Sequence, residues 1–300
     1  MKLRVRVPQP GFPWSAPTTP NGVQPLEGEP TTGAHYDTAW ARRTPSRYAR
    51  FFLLEGPIRA TVKVLADPIR VGTDRLAAVE GPVIFAANYH SHLDAPLMLT
   101  SIPEPWRHKL VVGGAADYFF RNKVTSAASA LAIGAFPIER SKVTRRSADQ
   151  AAELIGEGWS LLIFPEGGRS PDGWGQGHRG GAAYLAARTG APVVPVHLQG
   201  TNRIFAKGDK RPRPGTTKVT FGTPMHPTDD ENATRFAARI EAAVAMLADE
   251  AGSDWWTSRQ RAAAGATPSL SGPSLNSWRR AWALGDRRGR KARIRRWPEL

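Results

Sequence analysis

Cysteine is absent from this 300-residue chain, which removes disulfides, thiolate nucleophiles and cysteine metal sites at once. A cytosolic address is compatible with that absence but is not required by it. No run of about eighteen apolar residues occurs, so nothing reads as a membrane-spanning helix. The opening, MKLRVRVPQPGFPW, lacks the apolar stretch of a secretion signal. Lysine is scarce, at nine against thirty-two arginines. No internal repeat is visible.

What is present is a globular composition, 41% apolar and 22% charged, with a formal net charge of +15. The charge is uneven: Trp255 to Leu300 holds eleven basic residues against Asp286 and Glu299. A surplus of that size calls for an anionic partner, a nucleic acid or an anionic membrane surface. Three parts follow from composition. Residues 1–45 form a Pro-rich arm, expected to be disordered, with seven prolines before position 31. Residues 46–252 form the folded domain. Residues 253–300 form a basic Trp/Arg-rich tail.

The folded part opens with SRYARFFLLEGPIRATVKVLAD, whose Tyr48, Phe51, Phe52, Ile58, Val62 and Leu65 fall on one helical stripe. Pro57 is expected to divide that element. From about 80 to 225, short apolar runs alternate with helical patterns. PVIFAAN, KLVVGG, GAFPIE, SLLIFPE, PVVPVHL and KVTFG read as strands. DAPLMLTSI, ADYFFRNKVTSAASALA, RRSADQAAELIGEG and RGGAAYLAARTG read as helices, and 229–251 as a closing helix. Such alternation predicts an α/β domain with a mostly parallel central sheet flanked by helices.

One stretch, FAANYHSHLDAP, sets His90, His92 and Asp94 at alternate positions. A metal reading needs further ligands, yet the five other histidines, His35, His108, His178, His197 and His226, sit in no matching motif. Ser91 and Ser170 lack the Gly-x-Ser-x-Gly elbow of a hydrolase nucleophile. His197, inside an apolar strand, reads as a core histidine. Read singly, an arginine such as Arg169 is a solvated loop residue and a Gly pair is a turn.

Taken in order, NYHSHLD, GAFPIER, LLIFPEGGRS and PVVPVHLQGT resemble the four blocks of the glycerolipid acyltransferases, the lysophosphatidic acid (1-acylglycerol-3-phosphate) acyltransferases and their relatives. The resemblance spans about residues 80 to 225 and implies that family's α/β fold. It implies transfer of a fatty acyl group from acyl-CoA or acyl-carrier protein to the hydroxyl of a lysophospholipid or glycerol phosphate, as in phospholipid biosynthesis or remodelling. Such a reaction needs a base for the hydroxyl proton and cationic groups for the acceptor phosphate. Tyr89 stands where the family pattern carries its histidine. An ordinary tyrosine, with a pKa near ~10, is the wrong base at neutral pH. The expected catalytic pair is therefore His90, one position later, with Asp94 accepting its imidazole N–H. The resemblance implies that Arg140, Glu166, Gly167, Gly168 and Arg169 hold the acceptor phosphate and the loops around it. His92 falls where relatives often carry a bulky residue, and packing is its expected role. No metal or organic cofactor is implied.

The expected partners are the acyl donor, the lipid acceptor and an anionic membrane surface, with a cytoplasmic protein bound peripherally at the inner face of the cell membrane. Tryptophans among the tail arginines suit a headgroup boundary. The alternatives are a lipid-binding pseudoenzyme of the same fold, a metal-dependent hydrolase and a nucleic-acid-binding protein. No nucleic-acid-binding motif supports the last, and the resemblance implies no nucleic acid partner.

Overall fold

A computed structural model describes residues 33–139, 145–170 and 173–271. Seven strands form one sheet: β1 (Pro68–Val71), β2 (Ile84–Ala87), β3 (Leu110–Ala115), β4 (Ala135–Ile138), β5 (Ser160–Ile163), β6 (Val193–Gln199) and β7 (Thr217–Phe221). Their spatial order is β1-β7-β6-β2-β5-β3-β4, and every neighbouring pair is parallel except β6 with β7. The helices are α1 (Thr44–Leu53), α2 (Arg59–Ala66), α3 (Asp94–Ser101), α4 (Ala116–Phe119), α5 (Lys123–Ala132), α6 (Arg145–Gly156), α7 (Gly181–Thr189), α8 (Thr201–Ile204), α9 (Ala233–Gly252) and α10 (Trp255–Ala263).

The central strands are apolar at consecutive positions because both faces of the sheet are covered. Along β2 the side chains alternate between two cores. Phe85 and Ala87 join Leu97, Met98 and Leu99 of α3 on one face. Ile84 and Ala86 join Leu154 of α6, Leu185 of α7 and Ile240 of α9 on the other. This period of two fixes the register, since a slip of one residue would exchange the two cores.

The predicted α/β class and its six strands are all found. β1, PIRV, was not predicted: it is short, and Arg70 in it is exposed. The segment expected to form a single helix over 116–132 is two, because Phe120 turns into the core and Asn122 caps α5 by accepting the N–H of Thr125 at 2.9 Å. Pro57 lies in a π-helical turn, Leu54–Ile58, that divides α1 from α2. The wider turn rotates the helix face, so the single stripe splits. Leu54 and Val62 are buried, whereas Tyr48, Phe51 and Phe52 face outward.

Two stretches assigned to the arm and the tail carry structure. Gly33–His35 and Ala39–Arg42 form short 3-10 turns, and Gly33 donates to the Phe120 carbonyl at 2.7 Å. After α9, Asp254 caps α10 by accepting the Thr257 N–H, and Arg259 of α10 reaches the buried Glu250 at 3.1 Å. The chain then returns along the molecule, and Gly175 donates its N–H to the Leu270 carbonyl at 2.8 Å. A Cβ on Gly175 would lie 2.9 Å from that of Leu270, so only glycine permits this approach.

Phe85 sits at the centre of β2, edge-on to Trp106 and Phe221. Phe85→Ala should lower the unfolding free energy by about 3–5 kcal/mol, read from urea denaturation. A loss under about 1 kcal/mol would mean the core closes over the gap.

Candidate active site

The neighbouring strands β2 and β5 send their chains to opposite faces of the sheet, β2 into α3 and β5 toward α7. A crevice opens at the carboxyl ends of such a pair, where the two connections diverge. The loop after β2 (88–93) and the turn after β5 (164–170) form its walls, and they carry most of the predicted site residues.

Asn88 extends β2 by one side chain. Its amide oxygen accepts the Leu198 N–H at 2.6 Å and its amide nitrogen donates to the Leu198 carbonyl at 2.9 Å. Those two bonds fix which end of the amide is which. The remaining amide proton is directed at His90 Nδ1, 3.2 Å away. Nδ1 is therefore an acceptor, and the neutral ring carries its proton on Nε2, which is buried.

Asp94 begins α3 and is fully buried. Its Oδ2 accepts the main-chain N–H groups of His90, at 2.6 Å, and Ser91, at 2.8 Å. The expected bond from the His90 imidazole to Asp94 is replaced by these main-chain bonds. The reason is local: residues 90–93 form a turn before the helix, which brings the N–H groups to the carboxylate and directs the ring to Asn88. Burial pushes the Asp94 carboxyl up to about 6, against the lowering effect of the Ser91 N–H, the Thr201 hydroxyl, the His90 N–H and the Arg169 charge. His197, fully buried in β6, falls to about 3 through burial and the nearby His90 and Lys218.

Glu166 is also buried, and its bonds run to main-chain donors of two loops. Oε1 accepts the Tyr89 N–H and Oε2 the Gln176 N–H, both at 3.0 Å. Ser170 N–H donates to the Tyr89 carbonyl at 2.8 Å, closing the two walls on each other. Gly167 has φ +69, and a Cβ there would lie 2.9 Å from Arg179 Nε. The Gly168 carbonyl accepts from the Gln176 side chain at 3.1 Å. The Arg169 guanidinium lies 5.9 Å from the centre of the Tyr118 ring. Arg140 lies outside the described residues.

Tyr89 stacks on Phe164 with ring centres 4.3 Å apart, and both line an apolar cavity of about 120 Å³. Val112, Ile138, Ile163, Ala182 and Leu185 supply much of its wall, with Glu139, Ser147 and Arg179 among its polar members. His92, expected to pack, does so against Tyr118, and its Nε2 lies 2.8 Å from the Tyr118 hydroxyl. Burial and the Arg169 charge lower the His92 imidazole to about 4. Tyr118, Gln176 and Arg179 were not singled out from the sequence, since none stands in a motif, and Thr201, the last residue of the block PVVPVHLQGT, was given no role. Among the described residues no three His, Asp or Glu side chains gather as a metal cage.

The crevice at the strand switch point, with an apolar cavity beside it, is the ligand-site geometry of an open α/β domain. The family described as Acyltransferase matches residues 68–199. The chain is 32% identical over 142 residues to the chloroplastic 1-acyl-sn-glycerol-3-phosphate acyltransferase BAT2 of Brassica napus, covering 46% of this chain and 39% of that protein. It is 30% identical over 159 residues to the chloroplastic 1-acyl-sn-glycerol-3-phosphate acyltransferase LPAT1 of Arabidopsis thaliana, covering 52% and 42%. A bacterial 1-acyl-sn-glycerol-3-phosphate acyltransferase, from Pseudomonas aeruginosa, is 38% identical over 93 residues, covering 30% and 35%. The chain thus spans about half or less of the length of these relatives. The crystal structure of the 1-acyl-sn-glycerophosphate (LPA) acyltransferase PlsC from Thermotoga maritima superposes with a TM-score of 0.55 at 22% identity, over 72% of this chain and 83% of that one. That likeness establishes the fold. Residues 68–199 match the Acyltransferase family model, and the relatives this stretch resembles are 1-acyl-sn-glycerol-3-phosphate acyltransferases.

Because the folded pKa of Asp94 lies above the value of 3.8 for a free carboxyl, its protonated form favours the fold. That contribution is complete below 3.8 and is lost as pH rises through about 6. Asp94→Asn should remove the dependence, so the variant gains roughly 2 kcal/mol on wild type between pH 4 and 6.5. Urea melts across that range measure it, and parallel curves would count against a raised carboxyl.

Proposed function

We propose that this protein moves a fatty acyl group from a thioester, acyl-CoA or acyl-carrier protein, to the hydroxyl of a lysophospholipid or glycerol phosphate. The carrying observation is the apolar cavity set under the crevice, with Tyr89, Glu139, Gly167 and Arg179 among its polar or turn-forming lining. A buried acyl chain gains about 0.8 kcal/mol per methylene in such a cavity. The carbonyl at its end is then left among the loops after β2 and β5. Arg169, and Arg140 beyond the described residues, supply the positive charge an acceptor phosphate needs. The acceptor class is carried over from the names of the relatives. In this reading Glu166, Gly167 and Gly168 shape the phosphate loop, and Asp94 and His90 hold the turn that faces it.

A second reading, a lipid-binding protein of the same fold without turnover, is favoured by two observations. Tyr89 occupies the cavity wall, and His90 Nδ1 is already engaged by Asn88. Incubation of the protein with labelled acyl-CoA or acyl-carrier protein and lysophosphatidic acid should yield the diacyl product. Lipid binding with no product from either donor would establish the second reading instead. Ala151 of α6 is buried and lines the cavity. Ala151→Phe should reduce kcat/KM for long-chain donors about tenfold relative to short-chain ones; equal loss for all chain lengths would place the acyl group elsewhere.

The same reading makes the protein peripheral to an anionic membrane, on the inner face of the cell membrane. No helix among the described residues is long and apolar enough to cross a bilayer. Tyr48, Phe51 and Phe52 nevertheless project from α1, Phe52 with 70% of its surface exposed, and residues 272–300 add nine basic residues. An arginine near an anionic surface contributes about 1 kcal/mol. Phe52→Asp, and separately removal of 272–300, should each weaken binding to phosphatidylserine vesicles at least about tenfold in sedimentation. Unchanged binding in both would exclude these contacts.

A further inference from the structure

We propose that His92 and Tyr118, standing beside Arg169, form the proton relay that activates the acceptor hydroxyl. The inference rests on the acyl-transfer reading above and names the group that performs its first step. Of the four motif residues Tyr89, His90, His92 and Asp94, three are committed elsewhere, Asp94 to the main-chain N–H groups of His90 and Ser91. Tyr89 lies flat on Phe164 in the cavity wall. His90 presents Nδ1 to an amide whose orientation Leu198 fixes, and its Nε2 is buried.

His92 also stacks on an aromatic ring, that of Tyr118, but the group its Nε2 meets is a partly exposed hydroxyl. Its Nε2 lies 2.8 Å from the hydroxyl of Tyr118, a residue 40% exposed, so the imidazole sits behind a phenol that substrate can reach. The titratable and charged groups that meet the ring are Tyr118 from α4 and Arg169 from the turn after β5, while Phe205, after α8, closes an apolar side at 6.4 Å. A neutral imidazole can accept the phenol proton while the phenol oxygen takes the proton of the attacking hydroxyl. The new ester C–O bond forms as the thioester C–S bond breaks. The proton on His92 then returns through Tyr118 to the departing thiolate, so an alcohol and a thioester become an ester and a thiol with nothing left over.

Burial is the larger cause of the lowered imidazole, which is a weak base without substrate, and the Arg169 charge adds a smaller part. A phosphate bound at Arg169 cancels its charge, so the acceptor itself raises the basicity of the group that activates it. An acceptor without phosphate leaves His92 weak.

The test uses the full chain with labelled histidines, following the His92 resonance against pH with and without sn-glycerol 3-phosphate. The ligand should raise its midpoint by about one unit, and Arg169→Gln should abolish that rise. In turnover, His92→Gln and Tyr118→Phe should each lower kcat about a hundredfold, with KM for the acceptor little changed. Since Tyr118 is partly exposed, its variant keeps the fold even if His92→Gln does not. Wild-type turnover in both variants overturns the relay while the acyl-transfer reading stands. A His92 midpoint indifferent to glycerol phosphate overturns the coupling to Arg169. No product from wild type with either donor overturns the relay and the reading together.

Discussion

A buried carboxylate, that of Glu166, holds the crevice in one piece. It is 3% exposed and accepts main-chain N–H groups from Tyr89 on one loop and Gln176 on another. A buried carboxylate without donors would be too costly to keep charged, so the loops must come to it. Once they do, Ser170 can reach the Tyr89 carbonyl, and Gly167 turns with positive φ beside Arg179. The positions of His90, His92, Asp94 and Arg169 all follow from that closure. The PEGGRS segment is therefore first an architectural joint, and its chemistry depends on the joint being made.

The fold was largely legible in the sequence for a physical reason. Strands covered on both faces must be apolar at consecutive positions, and β2, β5 and β6 read that way. Edge structure was harder. β1 carries one exposed arginine within four residues and has no periodicity to detect. The π-turn after α1 splits the single stripe read from the sequence, leaving Phe51 and Phe52 at the surface while Val62 is buried, because a five-residue turn breaks the 3.6-residue count on which such stripes rest.

The site was legible in position but only partly in direction. The four blocks do place Asp94, Glu166, Gly167, Gly168 and Arg169 around one crevice. They do not say whether a carboxylate serves a ring or the main chain. Asp94 and Glu166 both accept main-chain N–H groups, Asp94 from His90 and Ser91 and Glu166 from Tyr89 and Gln176. Tyr118 was invisible for a different reason. Its partner His92 is twenty-six residues away, and only the packing of α4 beside the loop after β2 brings them together. The motif reading, which expected a histidine where Tyr89 stands, drew attention to its neighbour His90, while the imidazole that meets a hydroxyl is His92, two positions further on.

The hydrogen bond from Gly175 to Leu270 has a mechanical consequence. The basic stretch that follows Ser271 leaves the described part of the molecule from a point tied to the loop of Gln176. That loop in turn grips Glu166. Any pull on the tail is therefore borne first by the segment that keeps the crevice shut. The two ends of that load path are joined by a glycine that tolerates no side chain, which makes position 175 a rivet between tail and crevice.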